Sequence, residues 1–328
     1  VSSGRAAAVD IGSNSVRLLV VASDGGRIRR DIITTRLAAG VDATGRLDDA
    51  AIARTVAALA TFRDTWETLG VPSARVRMTA TSAVRDAVDR ARFLHAALDA
   101  TGVAVEVISG TEEAALSFAG ATGAVTTVHP CVVIDVGGGS TELVVGDEQG
   151  GIVGSVSMQL GCVRLTERDL HSDPASPAEL ARAAATVDGL VADGLADLVA
   201  QGVGLHRLRS AVGVAGTATT LAALHLGLDR YEEQRIHGTR VPRTALEGLA
   251  ERLGGMDVAT RATLGPVQPG RAEVLHGGAI VLARTLRHLG LDELVVSEAD
   301  SLDAAAASVL ARSTARSTAR STVDGSAP

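Results

Sequence analysis

The feature that constrains this chain most is a repeat inside it. The segment Val9-Asp10-Ile11-Gly12-Ser13-Asn14-Ser15-Val16-Arg17-Leu18-Leu19-Val20 aligns without a gap on Ile134-Asp135-Val136-Gly137-Gly138-Gly139-Ser140-Thr141-Glu142-Leu143-Val144-Val145. The offset is about 125 residues, the size of a small domain. Each copy reads as an apolar strand ending in Asp, a Gly-rich turn, Ser, and a second apolar strand, which is a β-hairpin. Two related domains are therefore expected, each opening with a hairpin whose turn is small and polar. The copies differ in one telling place, where Arg17 of the first aligns with Glu142 of the second.

The rest of the chain alternates strands and helices, the pattern of α/β layers. Helices are expected over 47–69, from Ser82, over 111–119, from 177 to about 200, from Thr217, over 271–289 and over 302–310. Strands are expected over 76–81, 103–108, 210–215 and 294–297. Ser176-Pro177-Ala178-Glu179 is a capping box with Pro at the first helical position. The resulting division is a first domain over 1–122 and a second over 123–310, with the helix near 301–310 free to pack back on the first. A disordered tail is expected over 311–328, where Ala-Arg-Ser-Thr repeats three times.

Composition removes several classes of function. Acids outnumber bases, 38 to 31, and every base is Arg. Without Lys there is no Walker-type phosphate loop and no Schiff-base lysine. The acidic balance and the lone Trp66 and Tyr231 argue against a nucleic-acid binder, which needs cations and stacking aromatics. Cys131 and Cys162 make no disulfide framework. The charge-free stretches 114–134 and 210–228 are broken by Gly and Thr and read as buried core, not membrane spans. The N-terminal residues show no signal-peptide pattern, so a cytoplasmic location away from membranes is expected.

Five short segments carry the candidate chemistry. Gly12-Ser13-Asn14-Ser15 is either a plain hairpin turn or a nest of backbone N–H groups around an anion. Gly137-Gly138-Gly139-Ser140-Thr141 holds more glycine than a hairpin needs and lets a ligand approach the main chain. Asp10 and Asp135 end apolar strands, where a carboxylate is costly unless paired or bound to a cation such as Mg²⁺. In Ser109-Gly-Thr-Glu112-Glu113, capping-box spacing gives Glu112 a structural task. That leaves Glu113, which either offsets the helix dipole or handles a water. Arg85 sits on a first helical turn, where anions are preferred, so it is either solvated or beside a bound phosphate. Gly213-Val-Ala-Gly216-Thr217 is a third strand–glycine–helix turn, weak alone. Arg164 and Arg271 are further weak phosphate candidates. The eight histidines form no zinc pattern, and no Gly-x-Ser-x-Gly stands with a triad.

Taken in order, Asp10–Arg17, Ala80–Arg85, Ile108–Ala114, Asp135–Leu143 and Gly213–Thr217 resemble the exopolyphosphatase / guanosine pentaphosphate phosphohydrolase family, in its short form without a C-terminal His-Asp domain. The resemblance runs from about residue 6 to 310. It breaks at Ser301–Ala306, where the family usually has Arg-Glu-Gly. It implies an actin-like fold, two ribonuclease-H-like domains around a cleft, and hydrolysis of the terminal phosphate of inorganic polyphosphate with Mg²⁺ or another divalent ion such as Mn²⁺. It implies Glu113 and Glu142 as catalytic acids, with Asp135, Glu142 and Asp10 handling the metal. Phosphate contacts fall on Ser13, Asn14, Ser15, Arg17, Arg85, Gly138, Gly139, Ser140, Thr141, Gly216 and Thr217. A homodimer follows from the resemblance only. The same site would suit guanosine pentaphosphate (pppGpp). An actin-like kinase and a polyphosphate sensor without turnover are the alternatives of other classes.

Overall fold

The computed structural model describes residues 4–268 and 270–324, apart from the side chains of 42 and 313–324. Where a disordered tail is expected from 311, the described backbone continues as helix to Asp324; the side chains from 313 and all of 325–328 lie outside the described residues.

The first half contains β1 (Ala6–Ile11), β2 (Ser15–Val21), β3 (Arg27–Thr34), α1 (Val41–Thr44), α2 (Asp49–Thr68), β4 (Val76–Ala80), α3 (Ser82–Asp86), α4 (Arg90–Thr101), β5 (Val105–Val107) and α5 (Gly110–Thr122). The second contains β6 (Cys131–Val136), β7 (Thr141–Gly146), β8 (Ile152–Met158), α6 (Cys162–Asp169), α7 (Pro177–Ala200), β9 (Ser210–Val214), α8 (Ala215–His225), α9 (Glu233–Ile236), β10 (Arg240–Pro242), α10 (Arg243–Gly254), α11 (Val258–Ala262), α12 (Leu275–His288), β11 (Glu293–Val296) and α13 (Ser301–Asp324).

The repeat is built twice in space. One sheet has the order β3-β2-β1-β4-β5, and the other β10-β11-β9-β6-β7-β8. In each, three antiparallel strands precede two parallel ones, and β10 is added at one edge of the second sheet. The register repeats as well: Asp10 pairs with Arg17 and Asp135 with Glu142. This is the duplicated ribonuclease-H-like arrangement of the actin-like fold. The strands β3 and β8 were not evident in the sequence. β3 is an edge strand of sequence Arg-Ile-Arg-Arg-Asp-Ile-Ile-Thr, partly or fully exposed along its length, so it shows no apolar signature. The helix expected from Ser82 stops at Asp86, and α4 starts separately at Arg90.

Strand alternation decides what faces what. Ala7, Val9 and Ile11 of β1 join the core that contains Phe62 and Trp66 of α2, whereas Ala6 and Ala8 pack on Leu302, Ala305 and Ala306 of α13. In β6, Val132 and Ile134 join the main core of the second half, while Cys131 and Val133 pack on Ala114, Phe118 and Ala121 of α5. Each half thus lends a helix to the other: α5 covers the second sheet and α13 the first. The two meet where an added Cβ on Gly120 would overlap the Asp300 backbone. By the same period of two, Asp10 lies on the α13 side of β1 and Asp135 on the α5 side of β6. The exchange therefore brings the start of α13 to one aspartate and the start of α5 to the other. Among the described residues no helix is long and apolar enough to cross a membrane.

Candidate active site

The glycine loops after β1 and β6 face each other. A Cβ on Gly138 would come 2.8 Å from Ser13 Cβ and 3.1 Å from the Asn14 nitrogen. A Cβ on Gly139 would come 2.7 Å from Ser82 Oγ and 2.8 Å from Ser13 Oγ. Only glycine allows this approach. Ser13 Oγ and Ser82 Oγ are 2.9 Å apart and share a hydrogen bond. The backbone N–H groups of Ser13, Asn14 and Gly138 donate to no acceptor among the described residues, and all three residues line one cavity of about 400 Å³. Such free amides form an anion nest. Asn14 Oδ1 is also buried without a partner among the described residues.

Glu113 reaches the same cavity from α5. The capping box forms as the spacing required: Ser109 Oγ accepts from Glu112 N at 3.1 Å, and Ser109 N donates to Glu112 Oε2 at 3.0 Å. Glu113 is left to point at the loops. One turn on, Ser117 Oγ donates to Asp135 Oδ2 at 2.6 Å, so residues i and i+4 of α5 serve one site. Burial, with Glu142, Asp10 and Asp135 nearby, pushes the Glu113 carboxyl well above the usual range, and Arg85 opposes the shift. Arg85 Nη1 donates to Glu113 Oε2 at 3.2 Å and to the Ile108 carbonyl at 3.1 Å.

The other acids are shifted too. Burial raises Asp135 to about 6. Burial and Asp135 raise Glu142 to about 8. Glu142 accepts from Ser157 Oγ at 2.8 Å and does not line the cavity. Arg17 is clamped by two carboxylates: Nε and Nη2 donate to Asp10 at 3.1 and 2.5 Å, and Nη1 donates to Asp300. Burial opposes its charge, but the two aspartates outweigh that and hold the guanidinium charged.

The third loop completes the wall. Ala215 has φ of 61°, a left-handed backbone disfavoured for a residue with a Cβ, which turns Gly216 and Thr217 toward the cavity. The Arg271 guanidinium lies directly on Gly216, where any Cβ would overlap it. Arg271 has no carboxylate within ion-pair distance among the described residues, and burial lowers its pKa. On the same side, near Arg271, Tyr231 donates to Glu298 Oε1 at 2.5 Å, and burial raises Glu298 to about 7.

Of the expected site residues, Asp10, Ser13, Asn14, Ser15, Arg17, Glu113, Asp135, Gly138, Ser140, Gly216 and Thr217 line this cavity. Gly139 stands behind it, as the contact that lets the loops meet. The structure places four of the expected residues as follows. Thr141 is fully buried and gives its hydroxyl to the Leu160 carbonyl, so it does not meet a ligand. Thr217 lines the cavity, but its hydroxyl donates to the Val136 carbonyl at 3.2 Å. Arg85 is tied to Glu113 and does not line the cavity. Glu142 is buried beside Asp135 and Glu113, with one oxygen accepting from Ser157 Oγ. Asp300, Arg30, Tyr231 and Glu298 were missed. The only local signal for Asp300 was its place before Ser301-Leu-Asp303, a helix start: Asp300 Oδ1 accepts from Leu302 N at 2.9 Å, and Asp303 Oδ2 accepts from Asp300 N at 3.0 Å.

No three His, Cys, Asp or Glu side chains among the described residues form a ready-made metal site. Mg²⁺, however, usually takes one or two carboxylates and fills its shell with phosphate oxygens and water. Asp10 and Asp135 both line the cavity, and burial disfavours the charged form of Asp135, which a cation would stabilise. This donor pair fits that mode of binding.

Sheet order and loop geometry together define an actin-like protein, two ribonuclease-H-like halves around one cleft. The chain belongs to the Ppx/GppA phosphatase family, whose pattern matches residues 19–301. It is 46% identical over 323 residues to Exopolyphosphatase 2 of Mycobacterium tuberculosis, covering 93% of this chain and 98% of that one. A solved exopolyphosphatase-like protein superposes with a TM-score of 0.85 at 34% identity, covering 92% of this chain and 97% of that one. A Ppx/GppA family member from Aquifex aeolicus gives 0.74 at 28% identity, with 94% and 98% covered.

Proposed function

We propose that this protein is an exopolyphosphatase, which hydrolyses the terminal phosphate of inorganic polyphosphate with the help of a divalent cation. The observation that carries the reading is Glu113 facing two glycine loops with free amides inside one cavity. The terminal phosphoryl group sits between the loops, its oxygens held by the amides of Ser13, Asn14 and Gly138 and by the hydroxyls of Ser13 and Ser140. Arg17 and Arg271 add positive charge. Asp10 and Asp135 would hold Mg²⁺, which when bound offsets charge on the phosphoryl oxygens.

Glu113 accepts a hydrogen bond from a water and takes its proton as the water oxygen attacks phosphorus. The bond from phosphorus to the bridging oxygen breaks, giving inorganic phosphate and a chain one unit shorter. Arg85 keeps the Glu113 carboxylate aimed and favours its charged form. Most of the acceleration in such a site is positioning and charge stabilisation. Replacing Glu113 by Ala should lower turnover about 10- to 1,000-fold with the fold intact. Near-normal phosphate release would remove Glu113 from the mechanism.

A second reading, removal of the 5′-terminal phosphate of guanosine pentaphosphate, is supported by Tyr231 and Glu298. They offer an aromatic ring and a hydrogen-bonding carboxyl near Arg271 in the cavity. Phosphate release from each substrate at equal enzyme concentration separates the two. A cytoplasmic homodimer is part of the same proposal, checked by fractionation and by light scattering.

A further inference from the structure

The cavity holds more acid than base. Its lining arginines are Arg17, Arg30 and Arg271, and seven carboxylates line it with them, four more than the arginines. Two of the three arginines are already matched. Arg17 is held by Asp10 and Asp300, and Arg30 by Asp300 at 3.1 Å and Asp303 at 3.4 Å. Of the three lining arginines, only Arg271 has no carboxylate within ion-pair distance among the described residues.

The same holds where a polyphosphate chain would leave. Asp31 of β3 and Glu233 of α9 line the cavity, and each engages an arginine, Arg29 at 2.8 Å and Arg27 respectively. Arg27 also meets Asp303 at 2.8 Å, and Arg36, just beyond β3, meets Glu273 at 2.5 Å. Along this edge no row of unmatched arginines continues from the cavity among the described residues.

A protein that grips a polyanion along its length does so with unmatched cations. Each phosphate it neutralises releases counterions, and log K falls with log salt by about 0.7 per phosphate on a single strand. One unmatched arginine supplies a slope of about 0.7, and six would supply about 4. A divalent ion held by Asp10 and Asp135 adds charge only at the chain end.

We propose, resting on the exopolyphosphatase reading, that this protein recognises only the end of the polyphosphate chain and releases the shortened chain after each cleavage. Short and long polyphosphates are then equivalent substrates per chain end. The acids at the mouth cancel its arginines, and along this edge no row of unmatched arginines among the described residues retains the trailing phosphates while the next unit moves into place.

The test uses the full chain at constant Mg²⁺. Binding of a short and a long polyphosphate, counted as chain ends, is measured by titration calorimetry on the Glu113→Gln variant across a potassium chloride series. Expected are dissociation constants within about threefold of each other and a salt slope of about 0.7. A slope of about 4 or more, or affinity rising tenfold or more with length, overturns the proposal.

Independently, wild-type protein digests a long polyphosphate, and its length distribution is followed on gels. A population shortening together supports the proposal. Full-length chains persisting beside end products, with no intermediates, overturn it. Glu233→Arg should steepen the salt slope by about 0.7, and an unchanged slope counts against a role for the mouth. Absence of phosphate release from every chain would remove the hydrolase reading, while the binding measurements still decide whether the end alone is recognised.

Discussion

Changing Gly216 to Ala isolates one charge in the site. Gly216 is the second residue of α8, and its position without a Cβ is what lets the Arg271 guanidinium rest against the backbone. The three atoms nearest to an added methyl all belong to the Arg271 guanidinium, the flexible end of a side chain, so it is the guanidinium that must swing away. Stability should barely suffer: Ala is favoured over Gly in a helix by up to about 1 kcal/mol, which offsets the displaced contacts. Catalysis should suffer clearly. A charge-assisted hydrogen bond contributes about 1.5–3 kcal/mol, or about 10- to 150-fold in kcat/KM for phosphate release from polyphosphate. Thermal melts and a phosphate-release assay on the same samples read both quantities. A stable variant with unchanged kcat/KM would refute the assignment of Arg271 to the substrate. A variant that melts far below the wild type would refute the claim that only the guanidinium gives way.

Other perturbations test the acids. Activity should rise with pH as Glu113, whose pKa burial and neighbouring carboxylates push upward, loses its proton. Arg85→Ala removes the cation that opposes this shift, so the acidic limb of the kcat/KM profile should move to higher pH, and a limb that stays in place contradicts the pairing. Glu142 bears on stability. Its folded-state pKa of about 8 lies above its unfolded value of about 4.3, so its contribution is full below the unfolded value and is lost as pH rises through about 8. Asp135, raised to about 6, acts in the same sense over the lower part of that window. In chelator, the wild-type melting temperature should therefore decline between about pH 5 and 8. Glu142→Gln, which mimics the neutral acid, should flatten that decline, and an equally steep variant would contradict the burial argument.

What could be read in advance was local. The two glycine loops were legible because close backbone approach leaves a compositional mark, and their matching aspartates fix the register of both hairpins. Glu113 stood out because the capping box beside it is written in four consecutive residues and accounts for Glu112. The half-exposed edge strand β3 was not legible, since Arg27, Arg29, Arg30 and Asp31 mask its alternation. Nor was the exchange of α5 and α13, which depends on packing between distant segments. The role of Asp300 followed from that exchange: its partner Arg17 is 283 positions away, and only the return of α13 to β1 and β2 brings them together. The engagement of the Thr141 and Thr217 hydroxyls was not legible, because residue type reveals a hydroxyl but not the carbonyl that already accepts it.

The central claim is that a phosphoryl group rests between the two glycine loops within reach of Glu113. A crystal structure of the protein with inorganic phosphate and Mg²⁺ tests it most directly. The account predicts phosphate density between Ser13–Asn14 and Gly138–Ser140, accepting from their backbone N–H groups, with the Glu113 carboxylate on the open side of the phosphorus. Phosphate bound elsewhere with the loops empty, or loops turned apart with Glu113 remote from the anion, would contradict it.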